Sequence, residues 1–169
     1  MPEALEVIKS VLSQHFKITE NIKTTGDKMN DIDAIFGVRV AAYQTAQSAF
    51  SISNLLEKRD QLLKTVNILG DGLKKHFEYE EKVLPLVFGE LLMKEILHDH
   101  NKIFGQIEDV KTSFINLEKL SHDELLSKRL ELIESVNKLS NIVLSHAQYE
   151  EKVLNIIKKV FEEKPVHPD

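Results

Sequence analysis

Two histidine–glutamate pairs carry the chemistry of this sequence. His76 and Glu80 lie four residues apart, and so do His146 and Glu150. On a helix, residues four apart share a face, one turn above the other. An imidazole and a carboxylate placed that way can bind one cation together. The surrounding sequence repeats with them. HFEYEEKVLPLV at 76–87 returns as HAQYEEKVLNII at 146–157, with seven of twelve positions identical. A duplicated packing surface accounts for the shared Val and Leu. It does not account for two ionisable residues kept in the same places, because burying an unpartnered carboxylate costs several kcal/mol.

The repeat extends further. LSQHFKI at 12–18 resembles LHDHNKI at 97–103, where Leu, His, Lys and Ile coincide. Each half therefore holds a lone His followed by a His-xxx-Glu: His15 with His76 and Glu80, then His100 with His146 and Glu150. In an antiparallel bundle a residue near the start of one helix lies opposite one near the end of the next. That places His15 opposite His76 and His100 opposite His146, with four His and two Glu converging in the core. The chain has no Cys, so any metal must be held by imidazole and carboxylate. Such a donor set suits iron or manganese, and zinc less specifically. Two carboxylates can bridge two ions, and the internal symmetry points to one ion per half. A carboxylate-bridged pair with open positions is a site for dioxygen or nitric oxide.

Other candidates read differently. His98 sits two residues from His100 and points elsewhere, His122 lies in a helix cap and His167 in the tail. Glu81 and Glu151 are duplicated, but they stand five residues past the His and are expected on a solvated face, paired with Lys82 or Lys152. Tyr79 and Tyr149 fit either core or the flank of the site. Phe16, Phe77 and Phe104 are expected to form an apolar shell around it. The zincin pattern HExxH is absent, and Glu-xx-His occurs once, at Glu95 and His98. No P-loop, dinucleotide fingerprint or Gly-x-Ser-x-Gly is present.

Four helices must position these groups. Leu5, Ile8, Leu12, His15 and Ile22 recur at helical spacing, and TTGDKMND at 24–31 reads as a loop from its Gly, Asn and Asp. The Ala-rich 33–50 is expected to be helical. Asn54 with Glu57 reads as a capping box opening a helix to about Phe88, strained at Gly70, Gly72 and Pro85. A third helix spans about 90–117, with Met93, Ile96, Leu97, His100, Ile103, Phe104, Ile107 and Phe114 inward. Ser121 and Glu124 form another capping box, and the last helix runs to about Glu163. The separation between lone His and paired His is 61 residues in the first half and 46 in the second, so the first half carries fifteen more. The expected fold is an all-α, antiparallel up-down four-helix bundle with an extra helical insertion between 24 and 54. Residues 1–163 form one domain, and 164–169, with Pro165 and Pro168, a disordered tail.

Composition agrees. At 169 residues the chain suits one sizeable core, and with 6 Gly and 4 Pro it is poor in turn signals, which favours long helices. The net charge of −5 comes without a basic stripe, which argues against nucleic acid. The run LPLVF is far shorter than the ~20 residues of a membrane span. The absence of Cys removes disulfides, thiolate zinc sites, iron–sulfur clusters and Cys nucleophiles together. No basic start followed by an apolar stretch is seen at the N-terminus, and a cytoplasmic protein is expected.

The pattern as a whole resembles the hemerythrin-like HHE cation-binding domains: a His, a His-xxx-Glu near the end of helix two, a third His, and a second His-xxx-Glu near the end of helix four. Here these are His15, His76 and Glu80, His100, and His146 and Glu150, and the resemblance covers roughly residues 5–160. It implies a four-helix bundle around a non-heme di-iron site, with dioxygen or another small diatomic as partner. Oxygen-carrying hemerythrins have a further His four residues after the third one, where this chain has Phe104, and a carboxylate five residues after the last His, which here is Glu151. The resemblance therefore implies a more open site, a sensor or binding module rather than a dedicated carrier, with a peroxidase-like or nitric-oxide-handling enzyme as the alternative. Members that repair iron centres carry a Cys-bearing N-terminal segment, which this chain lacks.

Overall fold

The structure, a computed structural model, describes residues 2–43, 52–115 and 117–163. It consists of α1 (Pro2–Tyr43), α2 (Ile52–Val83), α3 (Pro85–Ser113), a short 3-10 turn (Leu117–Lys119) and α4 (His122–Glu162). No strand occurs among the described residues. Helix α1 packs on α2 and α4, and α3 packs on the same two, so the four form the all-α bundle expected from sequence.

The loop expected at 24–31 does not exist. Helix α1 runs through it without a break. The buried stripe Ile8, Val11, His15, Ile18 and Ile22 continues as Thr25, Met29 and Ile32 at alternating three- and four-residue steps. An interior Gly costs about 1 kcal/mol, whereas burying Met29 and Ile32 stabilises by about 1.5–3 kcal/mol each. Packing outweighs the local signal of Gly26. Thr25 satisfies its own hydroxyl by donating to the Asn21 carbonyl at 2.9 Å. The first half's extra residues thus prolong α1, which reaches 42 residues against 29 in α3. Residues 44–51 of the Ala-rich stretch, and the tail at 164–169, lie outside the described residues.

Helix α2 has begun by Ile52, so Asn54 is not its cap. It ends at Val83 rather than Phe88, because Pro85 has no N–H to continue the ladder. The chain then reverses over six residues. Val87 and Phe88 both donate to the Leu84 carbonyl at 2.8 Å, and Gly89 takes φ 72, ψ 172, a conformation that side-chain-bearing residues adopt only with strain. The turn fixes how the end of α2 faces α3. Ser121 caps α4 as expected: its hydroxyl accepts from the Glu124 N–H, and the Glu124 carboxylate accepts from the Ser121 N–H at 2.7 Å.

Two apolar clusters fill the bundle. The larger includes Ile22, Leu62, Leu69, Phe77, Ile107, Phe114, Leu132 and Leu139. The smaller, at the α2–α3 turn, holds Ile8, Val11, Leu84, Met93, Ile96 and Leu154. His15, His76, Glu80, His100, His146 and Glu150 fall between them along each helix.

Candidate metal centre

The four helices each deliver part of a buried polar layer. α1 gives His15, α2 gives His76 and Glu80, α3 gives His100, and α4 gives His146 and Glu150; all six are buried. The imidazoles of His15 and His76 sit with ring centres 5.0 Å apart and near perpendicular, and those of His100 and His146 repeat the arrangement, also at 5.0 Å. Glu80 lies within 2.9 Å of His76 and 3.4 Å of both His15 and His100. Glu150 lies 3.2 Å from His15 and 3.6 Å from His146. One donor atom from each of His15, His76, Glu80 and Glu150 falls within 4.8 Å of the rest, and the same holds for Glu80, His100, His146 and Glu150. The two carboxylates belong to both groups.

A shortage of hydrogen bonds tests whether these residues fit a cation. Among the described residues, eight buried side-chain N and O atoms have no hydrogen-bond partner, and all eight belong to these six residues. His76 Nε2 is one of them although Glu80 stands 2.9 Å away. Six of the eight, His76 Nε2, His100 Nε2, His146 Nε2, Glu80 Oε2 and both Glu150 oxygens, converge without hydrogen-bond geometry, as suits a cation placed between them; His15 Nδ1 and His146 Nδ1 face Glu151 and Asp99 instead. Each orphaned buried polar group costs about 1–3 kcal/mol, and a bound cation removes that cost. The residues fit a metal.

Protons stand in where no ion is bound. Burial opposes charge on His15, but the Glu150 and Glu80 carboxylates prevail and raise its pKa to about 9. Burial also opposes charge on Glu80, yet His100, His15 and His76 hold its carboxyl well below the usual range. Glu150 goes the other way: burial and the nearby Glu80 charge outweigh the pull of His15 and push it up to about 7. Burial and then the charge on His100 lower His146 to about 4. His100 is raised, because Glu80 and Glu81 overcome its burial.

Two of the imidazoles are hydrogen-bonded from behind, and a carboxylate stands near the back of each of the other two. His100 Nδ1 donates to Glu81 at 3.0 Å, and His76 Nδ1 donates to the Gln14 amide oxygen at 2.9 Å. Glu151 lies 3.5 Å from His15 Nδ1, and Asp99 lies 3.9 Å from His146 Nδ1. With the proton fixed on Nδ1, His76 and His100 present the Nε2 lone pair to the interior. The solvated-face expectation for Glu81 and Glu151 holds in part: both carboxylates are 42% exposed, but each also reaches an imidazole. At five residues past the His each points across the bundle, Glu81 to His100 and Glu151 to His15, rather than to Lys82 or Lys152. Gln14 and Asp99 were not anticipated; their signal is that each immediately precedes a lone His.

The aromatic shell is smaller than expected. Phe16 is 70% exposed and has no part in it. Phe77 stacks on His100 with ring centres 3.7 Å apart and 7° between planes, and meets His146 edge-on at 5.5 Å. Phe104 packs edge-on against Phe77 at 5.4 Å. A surface groove of 340 Å³ is lined by Lys74, Phe77, Glu78, Glu81 and Phe104, so the Phe77 ring separates solvent from His100. Tyr149 is exposed and Tyr79 packs with the smaller apolar cluster. His98 is exposed, and no helix among the described residues is long and apolar enough to cross a membrane.

A bundle of this kind, with clustered His and Glu between its helices, defines a cation-binding helical domain. The chain matches the hemerythrin HHE cation binding domain over residues 39–155, more than half its length, and belongs to that family. The matched stretch contains His76, Glu80, His100, His146 and Glu150, while His15 precedes it. No curated protein and no solved structure matches the chain.

Proposed function

We propose that the cluster holds two iron ions, one between His15 and His76 and one between His100 and His146, with Glu80 and Glu150 shared, and that the protein senses or binds dioxygen or a related diatomic species. The observation that carries this is that, among the described residues, the unpartnered buried polar atoms all belong to those six side chains. Ferrous ions there would supply the electrons that an oxidising diatomic ligand takes up.

The chain's own residues do the rest. Glu80 and Glu150 place anionic charge at the centre, where it offsets that of two cations. Gln14 and Glu81 hold the Nδ1 protons of His76 and His100 outward. Phe77 excludes water from one side of the site. Phe104 occupies the place where oxygen-carrying relatives have a further His, so position 104 would supply no donor. Without a donor from position 104 the site would favour one-way oxidation over reversible carriage.

Metal analysis and the optical spectrum of aerobically purified protein test the site: two irons per chain with ferric near-ultraviolet absorption are expected, and a metal-free chain would refute it. Stopped-flow mixing of reduced protein with oxygen tests the role. A stable ferric product that does not return on removal of the gas is expected; full return over several cycles would make the protein a carrier. Turnover with peroxide or nitric oxide and an artificial electron donor would make it an enzyme.

A further inference from the structure

The four imidazole-backing residues obey the same internal symmetry as the cluster, with one break. Glu81 of the first half reaches His100 of the second, and Glu151 of the second reaches His15 of the first. Gln14 accepts from His76 Nδ1 at 2.9 Å, and Asp99 occupies the corresponding place at His146, 3.9 Å from its Nδ1 and without a hydrogen bond. Gln14 is a neutral amide. Its orientation is set by its own NH₂ group, which donates to Ser10 Oγ at 3.3 Å and so turns the carbonyl oxygen toward His76. Asp99 is a carboxylate whose other oxygen pairs with the exposed Lys102 at 3.2 Å. The half built on His100 and His146 thus has carboxylates 3.0 and 3.9 Å behind its imidazoles, and the half built on His15 and His76 has one, at 3.5 Å.

A carboxylate behind an imidazole raises its basicity and strengthens it as a ligand more than an amide does, and loss of such a partner typically costs 10–100-fold in metal affinity. Resting on the two-ion reading above, we propose that Asp99 and Gln14 are positioning residues that make the two halves unequal, so that the His100–His146 half takes a divalent cation first and more tightly than the His15–His76 half. Glu80 and Glu150 serve both halves and cannot produce the difference. Glu81 and Glu151 are the same residue type, at 3.0 and 3.5 Å from their imidazoles, so the difference in residue type among the four lies between positions 14 and 99.

The test is titration of the metal-free full-length chain with Co²⁺ alone, followed by calorimetry and by the visible bands of the bound ion. Two steps separated by about tenfold or more are expected. H146A should abolish the tight step and H76A the weak one. D99N should weaken the tight step by about tenfold, D99E should restore it, and Q14E should strengthen the weak step. These five substitutions at positions 14 and 99 and at the paired His separate the ligands from the residues behind them, and D99N and Q14E change half-buried side chains at the edge of the core. Two equal steps in the unaltered chain would overturn the proposal. So would two unequal steps that neither D99N nor Q14E moves, since repulsion between the ions would then account for them. Fewer than two ions per chain would overturn the two-ion reading itself, and this inference with it.

Discussion

The polar layer and the apolar clusters on either side of it are equally buried, yet they are stable for different reasons. Leu69, Leu132 and Phe114 need nothing but each other. His76, Glu80, His146 and Glu150 are packed as closely, but their donor atoms lack partners. Burial by itself therefore does not mark a finished core. The apolar clusters are complete without a ligand; the polar layer is complete only with one.

The largest expected effect lies in the apolar part. Leu69→Ala should cost about 2–5 kcal/mol of unfolding free energy, read by urea denaturation, and the loss should be the same with and without a chelator. A chelator-dependent loss would mean that the two regions are not independent. Chelation of the unaltered chain comes next. A ligand at 100 times its Kd stabilises by about 2.7 kcal/mol, so stripping the metal should lower the thermal midpoint accordingly.

His146→Leu sharpens the contrast through a change of sign. Both ring nitrogens of His146 are unpartnered, so in the metal-free chain the substitution removes an orphaned group and should stabilise by about 1–3 kcal/mol. In the metal-loaded chain it should destabilise. Destabilisation in both states would show that His146 contributes by packing alone.

The pH dependence should diverge in the same way. His15 has its pKa raised from 6.5 to about 9, so its contribution to the metal-free fold is fully present below 6.5 and lost as pH rises through about 9. Metal must displace that proton, so metal affinity grows over the same range. Between pH 7 and 9.5 the thermal midpoint should fall without metal and rise in limiting metal. Parallel curves would contradict a proton standing in for the ion.

The smallest effect belongs to the far end of the bundle. Arg129 forks onto Asp33 with nitrogen–oxygen distances of 2.5 and 3.0 Å, tying α4 to α1. Both side chains are a third exposed, so Asp33→Asn should cost no more than about 1 kcal/mol and leave metal content unchanged. A drop in metal content would show coupling along α1.

The spacing of His15, His76, Glu80, His100, His146 and Glu150, and the repeat that contains them, determined from sequence alone that the fold would be a helical bundle and that these six residues would meet inside it. Four-residue periodicity is local, and a helix transmits it faithfully to one face. The course of α1 through Gly26 was not legible, because the loop signal is local while the burial of Met29 and Ile32 that overrides it requires the other helices. Glu81 and Glu151 show the same limit. Their rotation away from Glu80 and Glu150 is fixed by helix geometry, but what they meet there is an imidazole carried by another helix. Only the tertiary structure could decide that these carboxylates reach His100 and His15, that Gln14 backs His76 while Asp99 stands near His146, and that Phe77 rather than Phe16 shields the site. Each is a contact between residues far apart in the chain, and such contacts are set by how the helices pack rather than by the order of their residues.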